Sequence, residues 1–266
     1  MGCIFLSDYR NNCTRAPLSV SQNFLTSRVL INHLLRRTDI SRSDLVLEIG
    51  AGKGHITREL LSRGCRVFAV ELDRALSEKL TVKFADQPNL RLVCGDFFKT
   101  QLPSGPYKVF SNIPFSRTTD ILRRLTAAAN PPQEAWLVLE KGAACRFCGK
   151  PGETLQSLLL KPFFDTEILY YFRREDFHPA PRVDCVLLHL HRKAAPDIPA
   201  SERETWHRFL EHSLCYGICG SRGLLSRRQA AAALRRAGLK PLTPSGDILY
   251  VQWLCLFRYW RYSAQN

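Results

Sequence analysis

No stretch of this sequence is apolar for long enough to cross a bilayer, so no membrane-spanning helix and no membrane partner are expected. The opening residues, MGCIFLSDYRNN, hold too short an apolar run for a secretory signal. They also place Leu6 where the myristoylation pattern asks for Ser or Thr. The ten cysteines are therefore expected as reduced thiols of a cytoplasmic protein. Cys145 and Cys148 form a C-x-x-C, and Cys215 and Cys219 lie four apart, but nothing in the sequence brings the pairs together and no metal is expected. Two nucleotide signatures are missing as well. There is no G-x-G-x-x-G of the dinucleotide-binding kind, and no glycine loop ending in G-K-[ST]. Acidic residues are few, 24 Asp+Glu against 38 Lys+Arg, leaving a net charge of +14. Such a surplus suits a polyanion, nucleic acid first, with a merely soluble basic enzyme as the plainer alternative.

What the sequence does hold is organised around Leu45–Gly54, LVLEIGAGKG. The first half is the short apolar run of a strand buried on both faces of a parallel sheet. The second half sets glycines at 50, 52 and 54, and His55–Ser62 then shows helical spacing with Ile56, Leu60 and Leu61 on one side. Strand, glycine turn and helix N-terminus together would offer backbone N–H groups to a ligand. The structural alternative is a tight turn with no ligand.

Further apolar strands are expected at Arg66–Leu72, Leu90–Cys94, Lys108–Ser111 and Ala135–Glu140, with helices at about Ser27–Arg37, Arg74–Phe84 and Thr118–Ala128. The first of these helices is read with Val29, Leu30, His33 and Leu34 inward. Alternation of this kind predicts βαβ units and a parallel, Rossmann-like α/β sheet. Lys141–Pro151 reads as a loop or broken helix and Leu155–Lys161 as a helix. Glu167–Phe172 and Cys185–His191 read as two strands joined by the rigid segment DFHPAPRVD, whose prolines bar regular pairing. After a linker, Ala194–Ala200, the pattern is helical over Ser201–Cys215, Leu225–Ala237 and Asp247–Tyr259. The expected division is a loose extension at 1–17, a catalytic domain at 18–193 and a basic helical domain at 194–266. Residues 192–266 hold 12 Lys/Arg and 5 Asp/Glu, a net +7. Arg227, Arg228, Arg235 and Arg236 share roughly one side of their helix, as a solvated basic face or a surface that tracks phosphates.

Ligands of open α/β sheets sit beyond the carboxyl ends of the strands, where Glu48, Gly50, Glu71, Asp96 and Asn112 all fall. Glu71, about 20 residues past the glycine turn, can bind the hydroxyls of a ribose. Asp96 can accept from an adenine amine, with Phe97 as a cover. These residues describe a cofactor that contains adenosine. Asn112–Phe115, NIPF, can clamp a planar amine: Asn112 Oδ1 and the Ile113 carbonyl accept its hydrogens, Pro114 stiffens the turn, and Phe115 stacks on the base.

The motifs SQNFL, EIGAGKGHIT, VELD, GDFF, SNIPFS and FHPAPRVD, in this order, resemble the rRNA adenine dimethyltransferase superfamily. They are most similar to the Erm group, the macrolide-resistance methyltransferases of 23S rRNA. The likeness runs from about Ser19 to His191. It implies S-adenosylmethionine as methyl donor, held by Asn23, Leu25, Gly50, Glu71, Asp96 and Asn112. It also implies that Phe115 and Phe177 flank a flipped adenine. Position 115 is Phe where other members carry Tyr, which keeps the stacking and loses a hydroxyl. No general base is evident; His55 and His178 are candidates, though surface or capping roles suit them better. The expected partner is 23S rRNA before full ribosome assembly, met by a monomer. The alternatives are the sister enzyme of 16S rRNA, which usually shows NLPY, a DNA adenine methyltransferase, and a non-catalytic rRNA-binding factor on the same scaffold.

Overall fold

The computed structural model describes residues 23–243 and 246–263. The extension expected at 1–17, and Ser21 and Gln22 of the SQNFL motif, lie outside the described residues. The elements run β1 Phe24–Leu25, α1 Arg28–Leu35, β2 Leu45–Ile49, α2 His55–Ser62, β3 Arg66–Glu71, α3 Arg74–Lys83, β4 Leu90–Cys94 and β5 Lys108–Asn112. There follow α4 Thr118–Thr126, β6 Glu134–Glu140, α5 Lys141–Cys148, α6 Leu155–Leu160, β7 Phe164–Tyr171, β8 Phe177–His178 and β9 Cys185–Arg192. The chain ends in α7 Arg203–Tyr216, α8 Arg227–Arg236 and α9 Tyr250–Ser263.

Seven strands pair in the order β4-β3-β2-β5-β6-β9-β7. The run from β4 to β6 is parallel, and β9 lies antiparallel to both β6 and β7. The middles of the parallel strands are apolar, as a sheet covered on both faces requires: Val46, Leu47, Val67, Val109 and Leu137 are buried, while the edge strand β4 is only part-buried and exposes Arg91. The expected α/β fold with a helical C-terminal part is therefore present.

Three expectations are corrected. The buried face of α1 is Ile31, Leu34 and Leu35, while Val29 is 81% exposed and His33 is also exposed. Two i, i+3, i+4 stripes share Leu34, and packing selects the one holding Ile31. Lys141–Pro151, read as a loop or broken helix, holds a continuous helix over Lys141–Cys148, because burial of Ala143, Ala144, Phe147 and Cys148 outweighs the low propensity of Gly142. The segment before Pro179 does pair: Leu25 faces Phe177 and Phe24 faces His178 in a two-stranded antiparallel sheet. Its two residues end just short of the prolines.

Contacts divide the chain into two compact units. One spans the described residues up to Cys145 together with Phe164–Ala194, and the other takes Arg146–Phe163 and the described residues from Ala195 onward. Within the second unit, α6 and α7 are tied by the buried Trp206 Nε1, which donates to the Leu158 carbonyl at 2.9 Å, and Trp206, Phe209 and Phe257 form an aromatic core. α8 starts at a reciprocal cap: Ser226 Oγ accepts from Gln229 N–H, and Gln229 Oε1 accepts from Ser226 N–H. It buries Ala230, Ala233 and Leu234, and leaves Arg227, Arg228, Arg235 and Arg236 exposed on the opposite side.

Candidate active site

β2 and β5 are neighbours although Ile49 and Ser111 stand 62 positions apart in the chain. From β2 the chain runs outward to β3 and β4, then returns to place β5 on the other side. In open α/β sheets such a reversal marks where a ligand binds, here the carboxyl ends of β2 and β5. Ser111 holds the two strand ends together: its hydroxyl donates to the Ile49 carbonyl at 2.6 Å and accepts from Ile49 N–H at 3.1 Å. The glycine turn thus begins beside Asn112.

The three glycines all have positive φ, 73°, 57° and 74° at Gly50, Gly52 and Gly54, but for different reasons. A Cβ on Gly54 would stand 2.6 Å from Leu80 Cδ2, so this glycine lets α3 approach. A Cβ on Gly52 would stand 2.6 Å from Phe24 Cε1. A Cβ on Gly50 would meet nothing within 4 Å, so the turn is open there. The N–H groups of the three glycines are engaged within the protein instead. Gly50 donates to the Val70 carbonyl, Gly54 to the Ala51 carbonyl and Gly52 to Glu71 Oε2. At the glycines the turn therefore offers shape rather than free N–H groups.

Glu71, 3% exposed, ends β3 as expected. Its carboxylate accepts from Gly52 N–H at 2.7 Å and from Asp73 N–H at 2.9 Å, which fixes the group while each oxygen keeps a further lone pair. Asp96, half-buried after β4, accepts from Phe98 N–H through Oδ1 at 2.9 Å. Gly95 beside it is also open to 4 Å around a Cβ. Phe97 is buried against the Arg124 guanidinium and the Phe98 ring, so it is core rather than the cover assigned to it.

Asn112 Nδ2 donates to the Asn23 carbonyl at 2.6 Å. That bond points the Nδ2 end of the amide at Asn23 and turns Oδ1 the other way, as an acceptor. Ile113 is buried with its N–H on the Val138 carbonyl, and Pro114 follows at φ −63°. Phe115 is half-buried. Phe177 is only 4% exposed, edge-on to Phe172 at 5.2 Å between centroids, and presents less open ring than the sequence assigned it. Leu25 is buried opposite Phe177. The structure thus brings Asn23, Leu25, Gly50, Glu71, Asn112 and Phe177 into one connected set, with Asp96 at the end of β4. Sequence reasoning missed Ser111 and Phe24, which flank the quoted residues inside SNIPFS and SQNFL and carry no chemistry that would single them out.

One buried group and one half-buried group lie beside this set. Burial raises Glu48, 1% exposed, to about 8, against a Thr57 hydroxyl that donates to it at 2.6 Å. Burial, and the charges of Lys83, Arg58 and Lys53, lower the His55 pKa, and its Nδ1 is buried without a hydrogen-bond partner. His178 is exposed. Among the described residues no group of three or more His, Cys, Asp and Glu could hold a metal ion.

Open space at Gly50 and Gly95, with fixed carboxylates at Glu71 and Asp96, fits an adenosine group, and Asn112 stands at the adjoining strand end. The fold and this site define an S-adenosylmethionine-dependent methyltransferase. Residues 14–219 match the family described as Ribosomal RNA adenine dimethylase. An rRNA adenine N-6-methyltransferase of Lysinibacillus sphaericus is 37% identical over 193 residues, covering 71% of this chain and 77% of that protein. A ribosomal RNA small subunit methyltransferase A of Synechococcus sp. (strain JA-3-3Ab) is 32% identical over 226 residues, 79% of each chain. The crystal structure of the 23S rRNA methyltransferase ErmE aligns with a TM-score of 0.77 at 28% identity, covering 90% of this chain and 100% of that one. The chain belongs to the ribosomal RNA adenine dimethylase family.

Proposed function

We propose that this site transfers methyl groups from S-adenosylmethionine to the exocyclic N6 amine of an rRNA adenine drawn out of its stack. The observation that carries the reading is the Asn112 amide, locked by the Asn23 carbonyl so that Oδ1 accepts, beside the stiffened Ile113–Pro114 peptide. Oδ1 and the Ile113 carbonyl would accept hydrogen bonds from the two amine hydrogens, which draws the nitrogen lone pair out of the ring, and the nitrogen that gains the methyl group would shed one of these protons to solvent. Phe115 and Phe177 would give the base stacking surfaces that offset the few kcal/mol, roughly, of unstacking. Asn23, Leu25, Gly50, Glu71 and Asp96 hold the cofactor, which when bound supplies a methyl group on positive sulfur. No protein nucleophile is required, and positioning and charge stabilisation supply most of the acceleration.

Two rRNA targets have support. The 23S reading, with macrolide–lincosamide–streptogramin B resistance as its consequence, draws on the likeness to ErmE at 28% identity and on NIPF. The 16S reading, dimethylation in small-subunit maturation, draws on a relative above 30% identity whose name specifies that subunit. In either case the proposal is a monomer working in the cytoplasm on incompletely assembled subunits, and the surplus of positive charge fits its contact with rRNA. Primer-extension mapping of both rRNAs from expressing cells tests the proposal. A block at one adenine of 23S rRNA together with macrolide resistance supports the first reading. Modification confined to 16S rRNA supports the second, and no modified adenine in either rejects both.

A further inference from the structure

Phe24 lies where the cofactor turn, the amine clamp and the loop of Phe177 meet. Its ring stands against Gly52, so closely that a Cβ there would fall 2.6 Å from Cε1. The Lys53 ammonium sits 4.9 Å from the ring centroid. Its backbone pairs with His178, and its neighbour Leu25 pairs with Phe177. The residue before it, Asn23, supplies the carbonyl that orients Asn112. Gly52, in turn, donates to the Glu71 carboxylate. One side chain thus links Glu71 and the glycine turn to the Asn112 amide through consecutive contacts of the same short strand.

We propose that Phe24 is a positioning residue for methyl transfer, anchoring a two-residue strand that sets the cofactor turn and the Asn112 clamp in register. Without the ring, Gly52 loses its backstop and the Asn23 carbonyl loses its fixed height over Asn112. The acceptor oxygen and the methyl donor would then drift relative to one another. Displacements of this size cost roughly tenfold to 100-fold in rate.

The inference rests on the proposed methyl transfer, and its test separates the two. Purified wild-type, Phe24→Leu, Phe24→Tyr and Gly52→Ala proteins, and the Gly52→Ala/Phe24→Leu double variant, are compared by thermal melting, by calorimetric titration with S-adenosylmethionine, and by tritiated-methyl transfer to protein-free 16S and 23S rRNA. Phe24→Leu, which keeps an apolar anchor, should fold with kcat lowered about tenfold or more, while Phe24→Tyr stays within about threefold of wild type. Gly52→Ala should weaken cofactor binding because its methyl group strikes the ring, and Phe24→Leu should restore part of that affinity in the double variant. Additive losses in affinity, or Phe24→Leu with wild-type kcat, overturn the positioning role. A loss of kcat that only follows a fall in melting temperature also overturns it. The calorimetric arm stands without RNA, so wild-type protein that binds cofactor but methylates neither rRNA counts against the proposed function and leaves this inference to be judged on affinity alone.

Discussion

The Asn112 amide is turned by a single hydrogen bond, and that bond decides which atom meets the substrate. With Nδ2 pointed at the Asn23 carbonyl, Oδ1 is left to accept. Asn112→Ala should therefore cut methyl transfer by about 100-fold or more, the scale of removing one aligned transition-state partner, and weaken cofactor binding less. Near-wild-type turnover in a tritiated-methyl assay would reject the role. Glu48 makes a different claim at the same scale. Its pKa stands near 8 against the usual 4.5, because burial disfavours the charge. The folded chain keeps a proton there that the unfolded chain releases above its own lower pKa. Stability from this group is complete below pH 4.5 and is lost as pH rises through about 8. Glu48→Gln retains an acceptor for the Thr57 hydroxyl and removes the titration. Its melting temperature should fall less than that of the wild type between about pH 5.5 and pH 8.5, the wild-type loss being on the order of a few kcal/mol. Parallel curves would show that Glu48 is not held neutral.

The glycine turn shows how one short element divides its labour. All three glycines have positive φ, so any replacement is strained, but the surroundings separate the outcomes. Gly54→Ala drives a methyl group into Leu80 and Phe84 of the α3 region and should destabilise the fold by about 1–3 kcal/mol. Gly50→Ala meets no protein atom within 4 Å, so its packing cost is absent and only the backbone strain, about 1–2 kcal/mol, remains. If the open space at Gly50 belongs to the cofactor, Gly50→Ala should lose cofactor affinity beyond what the melting temperature accounts for. Calorimetry and melting on the same two proteins check this; equal patterns in both variants would mean that Gly50 is a structural glycine only.

For the molecule as a whole, the uneven charge is the main lever. Residues 192–266 carry a net +7, half of the total, and α8 exposes Arg227, Arg228, Arg235 and Arg236 away from its buried alanines. If these arginines contact RNA phosphates, replacing them with Gln should flatten the salt dependence of RNA binding by roughly 0.7–0.9 in log–log slope for each lost contact. Cofactor affinity should stay unchanged, because the residues around the glycine turn belong to the other compact unit. An unchanged slope would leave the face as a solvated one. A flattened slope with reduced methylation of rRNA in cells would make it the docking surface.

Local chemistry determined much of this by itself. Apolar runs of strand length, glycine after a strand, and Ser226 three residues before Gln229 act over a few neighbouring positions, so strands β2 to β6, the turn and α8 were legible in the sequence. So were the strand-end positions of Glu71, Asp96 and Asn112, because side chains at the carboxyl ends follow from where each apolar run stops. Pairing between distant segments decided the rest. The order that sets β2 beside β5 depends on how successive βαβ units wind, and no local pattern encodes it. The α1 face was settled by its neighbours, since two equally spaced apolar stripes cross the same helix. Phe24 and Phe177 are too few residues from their breaks to show a strand period, and they meet only because the fold brings residues 24–25 to residues 177–178. The N–H groups of Gly50 and Gly52 looked available in sequence because their acceptors, Val70 and Glu71, arrive on the next strand of the sheet. Periodicity reports what one segment can bury; only tertiary packing assigns each donor its acceptor.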